Sequence, residues 1–145
     1  MEIRETTPAE AYETLQRDPN AIYLDVRTEG EYEAGHPATA RNVPIIVFDP
    51  ASRQPRPNTD FLPTVERHVA HTAKVLVGCQ SGVRSLRACE LLLDAGYTDV
   101  TNVAGGFGGA HDASGRVVVP GWHASGLPVE TGQTPGRSYA ELRGR

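Results

Sequence analysis

Val75-Leu76-Val77-Gly78-Cys79-Gln80-Ser81-Gly82-Val83-Arg84-Ser85-Leu86-Arg87-Ala88-Cys89-Glu90-Leu91-Leu92-Leu93 starts as an apolar strand, breaks at a polar glycine-bearing loop and resumes as an amphipathic helix. A thiol at such a strand-to-helix turn, here Cys79, lies under the unpaired N–H groups and positive dipole end of the helix. Both favour the thiolate, which is the nucleophilic form. Gly82 reaches backbone angles that a side chain forbids, so the loop can curl its amides toward one point. Arg84, five positions after the cysteine, adds a permanent cation beside it. The stretch describes a nucleophilic cysteine in an anion-binding cradle. Cys89 reads differently, because Leu86, Leu92 and Leu93 flank it on one helix at spacings of three and four, as befits a packed thiol.

Alternation of strand and helix signals extends in both directions. Upstream, Ile3 to Glu5 is a short strand candidate. Thr7-Pro8-Ala9-Glu10 opens a helix to about Arg17 with a capping box and a proline at the first helical position. Ala21 to Val26 reads as a buried strand. Thr28-Glu29-Gly30-Glu31 is a second capping box, starting a short helix that stops near Gly35. Arg41 to Pro44 is another short strand, and the prolines at 50, 55 and 57 mark Phe48 to Thr59 as a surface loop. Asp60 to His71 reads as a helix with Phe61, Leu62, Val65 and Val69 on one face. Lys74 to Val77 is the most apolar strand. The helix after the Cys79 loop runs to about Ala95, Gly96 stops it, and Val100 to Val103 is a last strand. This rhythm implies an α/β fold with a mostly parallel central sheet flanked by helices, with ligands bound beyond the carboxyl ends of the strands, where Cys79 lies.

A chain of 145 residues buries a real core as one domain, and 39% hydrophobic with 22% charged residues is ordinary for a soluble globular protein. A net charge of -4 argues against nucleic acid or an anionic membrane as a partner. Met1-Glu2-Ile3-Arg4-Glu5 carries charge at once, so no signal peptide is expected, and no apolar stretch is long enough to span a bilayer. The expectation is a cytoplasmic protein. Cys79 and Cys89, ten residues apart along a loop and helix, are too distant to bridge. Residues 1–132 form the expected domain. The polar tail 133–145 has little to bury and is expected to be mobile.

Three segments, in order, carry a family resemblance. Leu24-Asp25-Val26-Arg27, Glu31-Tyr32, Gly35-His36 and Ala40-Arg41-Asn42-Val43-Pro44 form the first. Cys79 to Ser85 is the second. Gly96-Tyr97, Val100, Asn102-Val103 and Gly105-Gly106-Phe107, with Gly126-Leu127-Pro128-Val129-Glu130 as ending, form the third. Over roughly residues 3–130 the chain resembles the single-domain rhodaneses, a family of sulfurtransferases with a three-layer α/β domain. The resemblance implies that Cys79 takes a sulfane sulfur from a small anionic donor such as thiosulfate and passes it to a thiol, cyanide or protein acceptor. Loop amides from Gln80, Ser81, Gly82, Val83, Arg84 and Ser85 would then stabilise the persulfide, with Arg84 binding the donor. Ser81 and Ser85 read more as turn organisers than as donors to substrate, and Arg87 as a solvated helix charge at the rim. Asp25 and Arg27 sit at a strand's carboxyl end, mostly as architecture, and His36 as a structural hydrogen bonder. No metal or organic cofactor is implied: His68 and His71 have a ligand spacing but no third partner, and His111 and His123 form no ligand pattern.

Two other readings compete. A cysteine phosphatase or arsenate reductase needs a wider loop with five residues between cysteine and arginine, whereas four intervene here. A non-catalytic binding module would usually lack the cysteine. One departure from the family pattern stands out. Ala110 occupies the place of the usual aromatic after the paired glycines, and the only tryptophan, Trp122, comes twelve positions later. An insertion over about 110–121 accounts for this, its Ala113-Ser114-Gly115 turn and Arg116-Val117-Val118-Val119 run expected to form a small ribbon, which either borders the active-site mouth or is an elaborated surface loop with no role.

Overall fold

Both threonine capping boxes form as the sequence predicts. In the computed structural model, which describes residues 2–144, the Thr7 and Thr28 hydroxyls accept from the amides of Glu10 and Glu31, and each glutamate accepts in return from its threonine's own amide. Met1 and Arg145, the start of the charged opening and the end of the expected tail, lie outside the described residues. In chain order the elements are β1 (Arg4–Thr6), α1 (Pro8–Arg17), β2 (Ala21–Asp25), α2 (Glu29–Ala34), β3 (His36–Pro37), β4 (Arg41–Asn42), β5 (Ile46–Phe48) and β6 (Pro55–Pro57). They continue as α3 (Phe61–His68), β7 (Lys74–Gly78), α4 (Arg84–Asp94), β8 (Asp99–Val103), β9 (Ala110–His111), β10 (Val117–Val119), β11 (Val129–Glu130) and α5 (Tyr139–Leu142).

The central sheet has the order β1-β8-β7-β2-β4 and every pairing in it is parallel. Its middle strand β7 is buried on both faces, which is why that segment is apolar without alternation. Val75 and Val77 face one core with Val65 of α3, Ala88, Cys89 and Leu92 of α4, and Tyr139 and Leu142 of α5. Leu76 faces the other, with Ala11 of α1, Tyr32 of α2 and Trp122. The expected three-layer α/β architecture is therefore present. Register matters most for the site: Asp25 pairs with Gly78 and Asn102 with Val77, so β2, β7 and β8 end at one edge, directly below Cys79.

Three expectations are corrected. The stretch Phe48 to Thr59, read as loop, contains a hairpin in which Ile46, Val47 and Phe48 oppose Pro57, Arg56 and Pro55. Asp49 N donates to the Gln54 carbonyl and Asn58 N to the Ile45 carbonyl, and by parity Arg56 takes the remaining hydrogen-bonding position. The two prolines fall at alternate positions, where no N–H is required. The third helix ends at His68 instead of His71, because Val69 turns extended to bury its side chain at 5% exposure and accepts from the Tyr97 hydroxyl at 2.7 Å.

The tail also differs. Residues 134–144 pack against the domain: Tyr139 and Leu142 are 4% and 3% exposed. The Arg137 carbonyl accepts from Asn42 N, and the Leu142 carbonyl lies 2.7 Å from His68 Nε2. Two apolar residues one turn apart, Tyr139 and Leu142, suffice to dock a polar segment on an otherwise open flank of the core. No helix among the described residues is long and apolar enough to cross a membrane.

Candidate active site

Cys79 is 1% exposed, at the base of a loop whose backbone amides approach its sulfur. Gly82 N–H points at Sγ at 3.1 Å and Ser85 N–H at 3.4 Å. Gly82 has φ +103°, and a Cβ there would press on Gly105 N, so the turn that aims these amides requires glycine. Val83, 71% exposed, caps the helix backbone without a side-chain bond, and Gln80 and Ser81 line the outer rim.

A second glycine loop buttresses the first. Phe107 N donates to the Cys79 carbonyl and Gly108 N to the Gln80 carbonyl, each at 2.8 Å. Gly106 has φ +50°, and any Cβ there would collide with the Cys79 carbonyl, so this close approach also requires glycine. Trp122 N returns to Gly106 O at 2.9 Å. The segment 110–121 between them forms the expected ribbon, β9 against β10. Its Val119 packs on Gly105, one loop removed from the thiol, while Val117 and Val118 are 58% and 63% exposed.

Asp25 and Arg27 are buried at 1% and 2% exposure. The guanidinium meets both Asp25 carboxylate oxygens at 2.8–3.2 Å, donates to Gly35 O at 2.6 Å, and reaches Gln80 Oε1 at 3.2 Å. Its Cζ sits 4.5 Å from the Phe107 ring centroid. Burial alone would lower the Arg27 pKa, but the Asp25 carboxylate more than offsets this and the net direction is upward. The pair thus ties β2 to the first residue of the loop. Asn42 Nδ2 holds the Asp25 and Arg27 carbonyls. His36 is structural: its Nδ1 lies 2.7 Å from Tyr32 O and its ring stacks on Tyr32.

Ser85 is an organiser of the turn, its hydroxyl donating to Asn102 Oδ1, and Asn102 Nδ2 in turn donates to the Gly82 carbonyl at 3.2 Å. Arg87 is 64% exposed and faces Glu90 at 3.6 Å. Cys89 is fully buried and its thiol is pushed up to about 12 by burial and by the nearby Cys79, so it is chemically quiet. Both cysteines are free. His68 and His71 do not converge, the first facing Leu142 O and the second Glu66, and no metal-binding cluster occurs among the described residues.

Sequence reasoning missed two residues. Asn102 appeared only as part of a motif, although it pins the loop from β8. Glu31 appeared only as a cap and within a motif, yet its carboxylate takes both terminal nitrogens of Arg84, Nη1 to Oε1 at 2.8 Å and Nη2 to Oε2 at 2.9 Å. Burial would raise the Glu31 pKa, but Arg84 and the Thr28 cap hold it at about 2. A carboxylate depressed in the folded state stabilises it above the ordinary value near 4.5, and that contribution is lost as pH falls toward 2. Urea midpoints measured across this window should therefore fall less steeply in Glu31→Gln than in the unaltered protein.

A cavity of about 400 Å³ lies beside Gln80, between Gly35, Phe107, His123 and Val129. A larger one of about 640 Å³, lined by Val47, Phe48, Arg56, Tyr139 and Arg143, includes no residue of the Cys79 loop. The geometry as a whole offers one buried sulfur with two backbone amides directed at it.

Comparison with known proteins identifies the family. The Rhodanese-like domain family matches residues 7–113, ending inside the 110–121 ribbon. A senescence-associated protein of Raphanus sativus is 40% identical over 108 residues, covering 74% of this chain and 51% of its own length. Thiosulfate sulfurtransferase 16 of Arabidopsis thaliana, a chloroplastic protein, is 37% identical over 108 residues, covering 74% of this chain and 78% of its own. The chain thus spans about half the length of the first relative and over three quarters of the second. The crystal structure of Rv0390 from M. tuberculosis superposes with a TM-score of 0.73 at 31% identity, over 91% of this chain and all of that one. By motif, by fold and by these matches, the chain belongs to the rhodanese-like domain family.

Proposed function

We propose that this protein is a sulfurtransferase that carries a sulfane sulfur on Cys79. The observation that supports this most directly is the pair of amides, Gly82 and Ser85, aimed at Sγ from 3.1 and 3.4 Å. Donors fixed in place before the reaction stabilise a sulfur anion without reorganisation. With thiosulfate as donor, the Cys79 thiolate attacks the sulfane sulfur, the bond between that sulfur and the sulfonate breaks, and sulfite leaves with the electron pair. A thiolate or cyanide then attacks the outer sulfur, and the Cys79 thiolate departs unchanged. Two relatives from Arabidopsis thaliana bear the name thiosulfate sulfurtransferase, which favours the same donor class. A reducing, cytoplasmic setting suits two unpaired thiols.

The phosphatase reading is weaker on a specific ground: both Arg84 terminal nitrogens lie on Glu31, so the guanidinium is not turned to a tetrahedral oxyanion. Intact mass after incubation with thiosulfate, and again after cyanide, tests the proposal. One sulfur atom gained and then removed is expected. No gain, with Cys79 still alkylating readily, would point to a different donor such as a protein persulfide. No gain with an unreactive Cys79 would sink the enzyme reading and leave a binding module.

A further inference from the structure

Arg84 is the cation that an anionic donor would meet at the loop, yet it is already engaged. Its bidentate bond to Glu31 joins the first residue of α4, at the end of the Cys79 loop, to α2, and the two side chains are 27% and 33% exposed. Glu31 is not a loose surface partner. Its Oε1 also accepts from the amide and hydroxyl of Thr28, so the carboxylate cannot swing away without opening the capping box. The neighbouring cations are paired as well, Arg27 with Asp25 and Arg87 with Glu90. The rim of the Cys79 loop therefore carries no net positive charge from its arginines.

We propose that Glu31 is a specificity-determining residue of the Cys79 site: its fixed carboxylate cancels the Arg84 charge and weakens the hold of the loop on small dianions. On the sulfurtransferase reading, which this deepens, Glu31 raises the KM for thiosulfate and shifts preference toward donors with less charge. The carboxylate stays ionised at any working pH, because Arg84 and Thr28 hold its pKa at about 2. The brake is therefore always on, and a change of charge at position 31 releases it.

Glu31→Gln is the direct probe, since glutamine at the third helical position still completes the capping box while its charge is gone. Inorganic sulfate serves as a dianion that cannot transfer sulfur, and its affinity is read by NMR at the Gly82 and Ser85 amides. Glu31→Gln is expected to bind sulfate about fivefold more tightly than the unaltered protein, with the gain shrinking as salt is added. Arg84→Gln, which leaves Glu31 unopposed, should move the affinity the other way, and it carries the test if the first variant does not fold. A Glu31→Gln protein that folds but binds sulfate no better than the unaltered chain overturns the proposal, including the case in which neither binds. Sulfate binding is independent of persulfide formation. A shift in affinity with no sulfur gained and an unreactive Cys79 would therefore sink the enzymatic reading and leave the charge effect of Glu31 on anion binding standing.

Discussion

On the proposed sulfurtransferase reading, Cys79→Ser is expected to lower the rate of sulfur transfer from thiosulfate to cyanide by at least roughly a thousandfold, because the relay runs through that sulfur. A serine hydroxyl is nearly isosteric and can accept from the same Gly82 and Ser85 amides, so the fold should persist. What is lost is the sulfur–sulfur bond itself. Cys89 offers no bypass: it is fully buried in α4 and its thiol sits at about 12. Initial rates with both variants, supported by intact mass, decide the matter. Cys79→Ser must show no added sulfur, whereas Cys89→Ala should retain transfer. A Cys79→Ser rate within tenfold of the unaltered protein would refute the assignment of the nucleophile.

Asp25→Ala should destabilise the protein by about 3–5 kcal/mol, the usual consequence of leaving a buried charge without its partner. Arg27 is 2% exposed, and after the substitution its guanidinium would keep only the Gly35 carbonyl, the Gln80 amide oxygen and the Phe107 ring. These are dipoles and a π face, not a counter-charge. The same change frees the first loop residue, so activity should fall along with stability. Replacing both partners, as in Asp25→Ala with Arg27→Met, removes the unpaired charge and should recover a large part of the loss. Urea denaturation of the two variants beside the unaltered protein measures this. If the single and double variants unfold at the same midpoint, the buried ion pair is not what holds β2 to the loop.

Local features were legible in the sequence because their physics is local. A capping box needs residues three apart, a strand-to-helix turn needs a glycine and a change of periodicity, and both helices and the Cys79 loop followed from such signals. Prolines misled the reading of residues 48–59, since whether a missing N–H matters depends on strand register, which is a pairing property. The tail misled it too. Tyr139 and Leu142 are unremarkable until an open flank of α3 and β4 is placed beside them.

By itself the sequence determined the alternating α/β order, the placement of Cys79 beyond the carboxyl end of the most apolar strand, and the amides that the turn after it turns inward. Each follows from interactions among neighbours in the chain. Only the tertiary structure decided what the charges near that thiol do. Glu31 and Arg84 are 53 positions apart, Ser85 and Asn102 are 17 apart, and Arg27 meets Gln80 across 53. Parallel strands bring such distant residues to one sheet edge, and at hydrogen-bonding range an arginine that looked free to bind an anion is instead held by a carboxylate fixed to its own helix cap.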